Sequence, residues 1–271
     1  DVADRTGVER LGDAAGIGPE ISLKAASDES VRERCRPVLI GDLAHLRKIA
    51  ASHGLAAKLS DFDRDAVSEP NAIEVIDLKN LPAEVPTAVD DAVTGKASAE
   101  CIERAVALCL NDTISALATA PISKKAIALG GYNFPGHTEF LAALTGTADF
   151  RMSFFADRLR VVLLSTHLSL RSAIELVTAA RLAEVISFTD RELTRLLGRR
   201  VSIAVAGLNP HASEHGMFGD EEEREFVPAI AQCRSRGISV SGPYSPDTIF
   251  LRGYNGEFDA VVACYHDQAT I

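Results

Sequence analysis

Short apolar runs alternate along the chain with longer stretches in which apolar residues recur every three to four positions. The runs at 38–41, 73–77, 115–119, 161–165, 203–207 and 260–265 predict strands. Several carry apolar residues consecutively, the pattern of a parallel strand covered on both faces. Between them, Ile102, Ala105, Val106 and Cys109 fall at i, i+3, i+4 and i+7, which lines one face of a helix. Leu182, Val185, Ile186, Leu193 and Leu196 predict a longer helix that ends near Gly198. Strand and helix in alternation predict an α/β fold with right-handed crossovers. Residues 6–11 read as a poor strand, and 78–95, with Pro82 and Pro86, as the longest surface loop.

Composition narrows the function classes. A chain of 271 residues allows one large domain or two small ones. With 46% hydrophobic and 24% charged residues it is neither a disordered tail nor a coiled-coil rod. The apolar run 260–265 is far shorter than the roughly 18 residues that cross a bilayer. Set against 28 Lys and Arg, 38 Asp and Glu give a net charge of −10, a poor footprint for binding nucleic-acid phosphate. The expected partner is a small molecule, with no nucleic acid and no membrane. Five scattered cysteines without a CxxC pair argue against a disulfide framework. Residues 1–5 lack a secretory leader pattern, so a reducing cytoplasm is the expected compartment.

The chemistry collects just past the predicted strands, where ligands gather in open α/β sheets. Strand 161–165 runs into Thr166-His167, strand 203–207 into Leu208-Asn209-Pro210-His211, and strand 260–265 into His266-Asp267-Gln268. Three imidazoles converging at one edge are a zinc ligand set that leaves a position open for substrate. The bland alternative is three strand-end histidines bonded to backbone, and spacing alone leaves both open. His45 and His53 read as surface positions on a helix, and His215 as a loop residue.

Two further motifs carry double readings. In Gly136-His137-Thr138-Glu139, Gly136 or Thr138 is placed to cap a helix, with Glu139 favoured in its first turn. The same free N–H groups, hydroxyl and imidazole also suit an anion. Gly12-Asp13-Ala14-Ala15-Gly16-Ile17-Gly18-Pro19-Glu20 is a glycine-rich turn opening a helix, but not the G-x-G-x-x-G fingerprint, so no dinucleotide motif is read from it.

Six segments in order carry a resemblance: the glycine-rich turn, Pro135-Gly136-His137-Thr138-Glu139-Phe140, Ser165-Thr166-His167, Gly207-Leu208-Asn209-Pro210-His211-Ala212, Gly242-Pro243-Tyr244-Ser245-Pro246-Asp247-Thr248 and Tyr265-His266-Asp267-Gln268. Together they resemble the 4-hydroxythreonine-4-phosphate dehydrogenase family of vitamin B6 (pyridoxine) synthesis. The resemblance implies two α/β/α subdomains with a cleft between them, as in the isocitrate and isopropylmalate dehydrogenases. It divides the chain into 1–130 plus 251–271 and a dimer-forming 131–250. The implied enzyme is an NAD-dependent oxidoreductase of a CH–OH group. It oxidises the 3-hydroxyl of 4-phosphohydroxy-L-threonine, and the product then loses carbon dioxide.

By the same resemblance His167, His211 and His266 hold a divalent metal shared between the subunits of a homodimer. Zinc is named first, with magnesium, manganese and cobalt able to occupy the same site. His137 and Thr138 are implied to bind substrate, Asp247 to assist proton transfer, and the cofactor-binding residues are not identified. The segment Glu214-His215-Gly216-Met217-Phe218-Gly219-Asp220-Glu221-Glu222 resembles a sister branch acting on phosphorylated four-carbon sugar acids, such as 4-phosphoerythronate or 4-phosphothreonate. A three-histidine metal hydrolase is the alternative from another class. Ala14 stands where the family usually has proline. Family members also continue past the third histidine motif, whereas this sequence stops at Ile271. That ending predicts a piece of a longer protein, since 260–265 would otherwise be left as a poorly supported strand.

Overall fold

A computed structural model of the chain describes residues 6–10, 12–63 and 72–270. The readings on residues 1–5, Leu11 and Ile271 lie outside them. The chain divides into two compact α/β units, 1–148 and 149–271.

In the first unit β1 (Thr6–Arg10), β2 (Arg36–Gly41), β3 (Lys58–Asp61), β4 (Ala72–Asp77) and β5 (Ala116–Thr119) form one parallel sheet in the order β3-β4-β2-β1-β5. The unit also carries α1 (Gly18–Ser27), α2 (Glu29–Arg32), α3 (Leu43–Ser52), α4 (Ala92–Leu110), α5 (Lys124–Leu129) and α6 (His137–Thr145). Strand β2 explains the consecutive apolar run. Leu39 packs with Leu23 of α1 and Leu46 of α3, while Val38 and Ile40 pack with Cys101, Ala105 and Leu108 of α4. Successive side chains point to opposite faces, so a strand covered on both must be apolar at every position.

Residues 6–10, which read as a poor strand, are a central one: Val8 stands opposite Val38 on one side and Leu117 on the other. Thr-Gly-Val-Glu-Arg has a single strongly apolar residue, and two flanking ladders supply what propensity does not. The predicted loop holds from Leu78 until α4 begins at Ala92.

The second unit holds β6 (Ser153–Ala156), β7 (Leu159–Leu163), β8 (Ile203–Ala206), β9 (Val240–Tyr244) and β10 (Ala260–Ala263) in the order β6-β7-β10-β8-β9. Only the edge pair β6–β7 is antiparallel. Around the sheet lie α7 (Leu170–Glu175), α8 (Ala179–Leu197), α9 (Val227–Ser235), α10 (Pro246–Tyr254) and α11 (His266–Ala269). Val162, Val205 and Val262 face Leu182, Val185 and Ile186 of α8 and Ile230 of α9. Ala204, Ala206 and Val261 face Ile249 of α10. Helix α8 stops at Leu197, in front of Gly198 as predicted.

Two boundaries differ from expectation. Segment 251–271 stays in the second unit, because Val261 pairs with both Val161 and Ala204. With a ladder on each side, β10 is not a poorly supported strand. Residues 131–148 stay in the first unit, where Phe140 of α6 packs on Ala99, Ile102 and Val106 of α4. Among the described residues, no helix is long and apolar enough to cross a membrane.

Candidate functional site

Four neighbouring parallel strands of the second sheet end on one edge in the order β7, β10, β8, β9. Past those ends, in the same order, come His167, His266, His211 and Asp247. The sheet thus gathers residues about 100 positions apart in sequence, and its register fixes which loops are neighbours.

The rings of His167 and His266 lie 5.5 Å apart between centroids, tilted by 45°. His266 also meets the edge of Phe154 at 6.0 Å, and its Nδ1 is 3.0 Å from Asp267 Oδ1. A carboxylate on one imidazole nitrogen fixes the tautomer and leaves the other nitrogen free to bind. His211 sits apart from this pair, its ring 6.3 Å from Phe218. Among the described residues, no three His, Cys, Asp or Glu side chains are grouped closely enough to hold a metal. Two of the three predicted ligands are therefore brought together in one chain and the third is not. As a donor set, the imidazole pair suits zinc or another borderline divalent ion.

His211 opens an unusual stretch of backbone. Residues 211–215 all have positive φ, from 42° to 70°, although none is glycine. Each such residue costs roughly 1 kcal/mol or more and persists only where its surroundings hold it. The surroundings here are specific. Glu222, 4% exposed, accepts from Leu208 N at 2.8 Å, Asn209 N at 2.7 Å and Asn209 Nδ2 at 2.9 Å. Asn209 Nδ2 also donates to Glu221 Oε2 at 2.7 Å, and Ser213 Oγ donates to Gly219 O.

Asp247, in the first turn of α10, is exposed and accepts from the Ser245 hydroxyl. That hydroxyl, with smaller help from its own backbone N–H and from His211, holds the Asp247 carboxyl below the usual carboxylate range. An ionised carboxylate beside an imidazole is a reasonable proton acceptor.

In the first unit, Gly136 is the residue before α6 and makes no side-chain cap. His137 and Thr138 open the helix itself, so Thr138 is not the cap. Phe134 stacks on Phe140 at 4.2 Å and pins the entry of the chain. A Cβ at Gly136 would stand 3.8 Å from Lys124 Cε, which puts the lysine stem beside the start of the helix. The glycine-rich turn closes over the end of β5: Asp13 N donates to Pro121 O at 3.0 Å, and Asp13 Oδ1 accepts from Ala15 N at 3.0 Å.

The histidine readings split. His53 is exposed as expected and lies 3.3 Å from Glu20. His45 is half-buried, not a surface residue, and burial lowers its pKa. Glu222 and Gln268 lie within the quoted segments, but chain order gives neither a role, since their only signal is a polar residue near a histidine.

A family model described as "Pyridoxal phosphate biosynthetic protein PdxA" matches residues 33–271. The chain is 42% identical over 269 residues to "D-threonate 4-phosphate dehydrogenase" of Salmonella typhimurium, covering 96% of this chain and 81% of that protein. It is 40% identical over 265 residues to "4-hydroxythreonine-4-phosphate dehydrogenase" of Desulfosudis oleivorans, covering 96% and 78% respectively. A crystal structure of 4-hydroxythreonine-4-phosphate dehydrogenase from Klebsiella pneumoniae superposes with a TM-score of 0.91 at 40% identity, over 98% of this chain and 81% of that one. These relatives are named as dehydrogenases, and each match covers at least 96% of this chain. The chain belongs to the PdxA family of dehydrogenases.

Proposed function

We propose that the chain oxidises the 3-hydroxyl of a phosphorylated four-carbon hydroxy acid, passing the hydride to NAD. The observation that carries the reading is the edge of the second sheet, where His167, His266, His211 and Asp247 follow one another on adjacent strand ends. Relatives named for 4-hydroxythreonine 4-phosphate and for D-threonate 4-phosphate support the substrate class. The two substrates share a carboxylate, a 3-hydroxyl and a 4-phosphate, and differ at C2, an amine in one and a hydroxyl in the other. With the amine substrate the reaction belongs to pyridoxal 5′-phosphate synthesis.

Oxidation of the alcohol removes a hydride from C3 and a proton from its oxygen. Asp247 is assigned the proton on its place past the end of β9, beside the histidine edge; the Ser245 hydroxyl keeps it ionised, at a cost in basicity. His167, His211 and His266 are assigned a divalent metal, which when bound supplies Lewis-acid polarisation of the hydroxyl. Loss of carbon dioxide from the β-keto acid completes the reaction. His137 and Thr138, at the start of α6, are assigned to an anionic group of the substrate, as helix starts favour.

We propose a homodimer in which a second copy completes the metal site, a reading that the resemblance motivates and the His167–His266 pair fits. Mixing His211→Ala with a variant lacking a partner-contributed ligand tests this by recovery of activity. Absorbance at 340 nm with NAD and each substrate tests the reaction itself. Growth with one or both substrates supports the reading. Phosphate release without NAD reduction would hand the site to a hydrolase.

A further inference from the structure

The three histidine segments leave the sheet after their ladders have ended, yet a buried chain of hydrogen bonds continues to tie them together. The β10–β8 ladder ends with Val262 opposite Val205, and the β10–β7 ladder with Ala263 opposite Leu163. Beyond that point Gln268, 3% exposed, bridges the gap. Its Oε1 accepts from Cys264 N at 2.7 Å and its Nε2 donates to Gly207 O at 2.7 Å. A backbone N–H needs an acceptor and a carbonyl needs a donor, so this pair of partners fixes which way the amide points. On the other flank Ser165, 4% exposed, donates through Oγ to Cys264 O at 2.8 Å. Past Gly207, the Glu222 carboxylate grips the N–H groups of Leu208 and Asn209.

Each tie sits two to four residues before a histidine: Ser165 before His167, Cys264 before His266, Gly207 and Asn209 before His211. We infer that this buried chain, with Gln268 at its centre, fixes the three histidine segments of one copy and holds His167 and His266 as the pair that copy offers to an ion. Gln268, Ser165 and Glu222 are positioning residues, acting through backbone groups and, for Glu222, also through the Asn209 side-chain amide. The inference rests on the metal-binding reading and deepens it. A purely structural reading of the same bonds predicts lost stability and unaltered affinity in the folded protein. The positioning reading predicts lost affinity at the histidines, because 5.5 Å between the His167 and His266 rings leaves little slack for one ion.

The experiment measures zinc affinity of the full chain by competition with a chromophoric chelator, on protein shown to be folded by near-UV circular dichroism. Gln268→Met keeps the side-chain length and removes both bonds, and Ser165→Ala removes one. Thr189→Val is the control: its hydroxyl, 1% exposed, bonds Val185 O inside α8 of the same unit, away from the histidines. His266→Ala tests the metal reading separately. The expected result is a loss of about 10–100-fold in affinity for Gln268→Met and about tenfold for Ser165→Ala, as for other outer partners of metal-binding histidines. Thr189→Val should stay within about twofold of the parent. Should Gln268→Met fail to fold, Ser165→Ala decides alone. Parent-like affinity in the folded Gln268 and Ser165 variants, with a clear loss in His266→Ala, overturns the positioning role and leaves the metal reading standing. Parent-like affinity in His266→Ala overturns both.

Discussion

Substituting alanine at glycines of the first unit tests how tightly its glycine-rich turn is held. Gly12 has φ +70°, and a Cβ built there falls 2.2 Å from Pro121 O and 3.1 Å from the Ala120 backbone carbon. Neither neighbour is the tip of a flexible side chain, so the backbone after β5 must move. The left-handed conformation costs alanine about 1–2 kcal/mol, and overpacking adds about 1–3 kcal/mol. Gly12→Ala should therefore lose about 2–5 kcal/mol. Two other glycines calibrate this. Gly54 has φ +63° with nothing within 4 Å of a built Cβ, so Gly54→Ala carries the conformational cost alone. Gly16 has no positive φ and only an ordinary 3.5 Å contact to Asp13 O, so Gly16→Ala should fall within about 0.5 kcal/mol of the parent. By scanning calorimetry the transition of this 148-residue unit should fall by about 2–4 °C per kcal/mol. The order of melting is then Gly16→Ala above Gly54→Ala above Gly12→Ala. A Gly12→Ala transition no lower than that of Gly54→Ala would refute the close approach to Pro121.

Other consequences follow from single groups. Asp247→Asn should lower kcat by at least about 100-fold, within the range for lost general-base catalysis, with zinc affinity retained; near-parent turnover would remove the proton role. Asp259 bonds Arg199 and the Ser202 N–H, and these hold its pKa down to about 2 against an ordinary 3.8. A depressed pKa gives stabilisation that is complete above the unfolded value and lost as pH falls from about 4 towards 2. Since Arg199 is largely exposed and screened, Asp259→Asn should cost about 1–2 kcal/mol at pH 7 and only a few tenths near pH 2, where the carboxyl is about half protonated, read by urea unfolding; equal costs at both pH values would contradict the pairing. Burial pushes the Cys264 thiol far up, so a thiol-reactive disulfide reagent should leave it unlabelled in the native protein, and mass spectrometry finding it modified before unfolding would count against that burial.

What the sequence reveals of the fold follows the position of each strand in its sheet. Strands 38–41, 203–206 and 260–263 lie inside their sheets, and coverage on both faces writes them as unbroken apolar runs. Apart from β5, an edge strand that the run at 115–119 still predicts, edge strands lack that signature. Strand β9 contains Gly242 and Pro243, a composition tolerated at an edge because an edge strand has one ladder instead of two. Strand β3, partly exposed along its length, and the antiparallel β6 are edges too, and none of the three stands out in the hydrophobic pattern. Strand β1 is the exception, central but not apolar, its place given by long-range pairing that no local window contains.

The site divides along the same physical line. Histidines just past strand ends are visible as residue types beside apolar runs, so His167, His211 and His266 stand out from the chain order alone. Their adjacency is not visible, because β10 enters between β7 and β8, both of which precede it in the chain. A strand inserted this way brings its histidine next to one about 100 residues earlier, and only ladder register encodes that. The bonds that hold the arrangement are quieter still. Gln268 and Glu222 look like ordinary polar residues of a surface loop, and burial turns each into an obligatory partner for backbone groups that no ladder reaches. The apolar scaffold of this edge is written locally, in runs that any window along the chain contains. Its precision rests instead on polar residues whose importance follows from burial, a property that only the folded chain possesses.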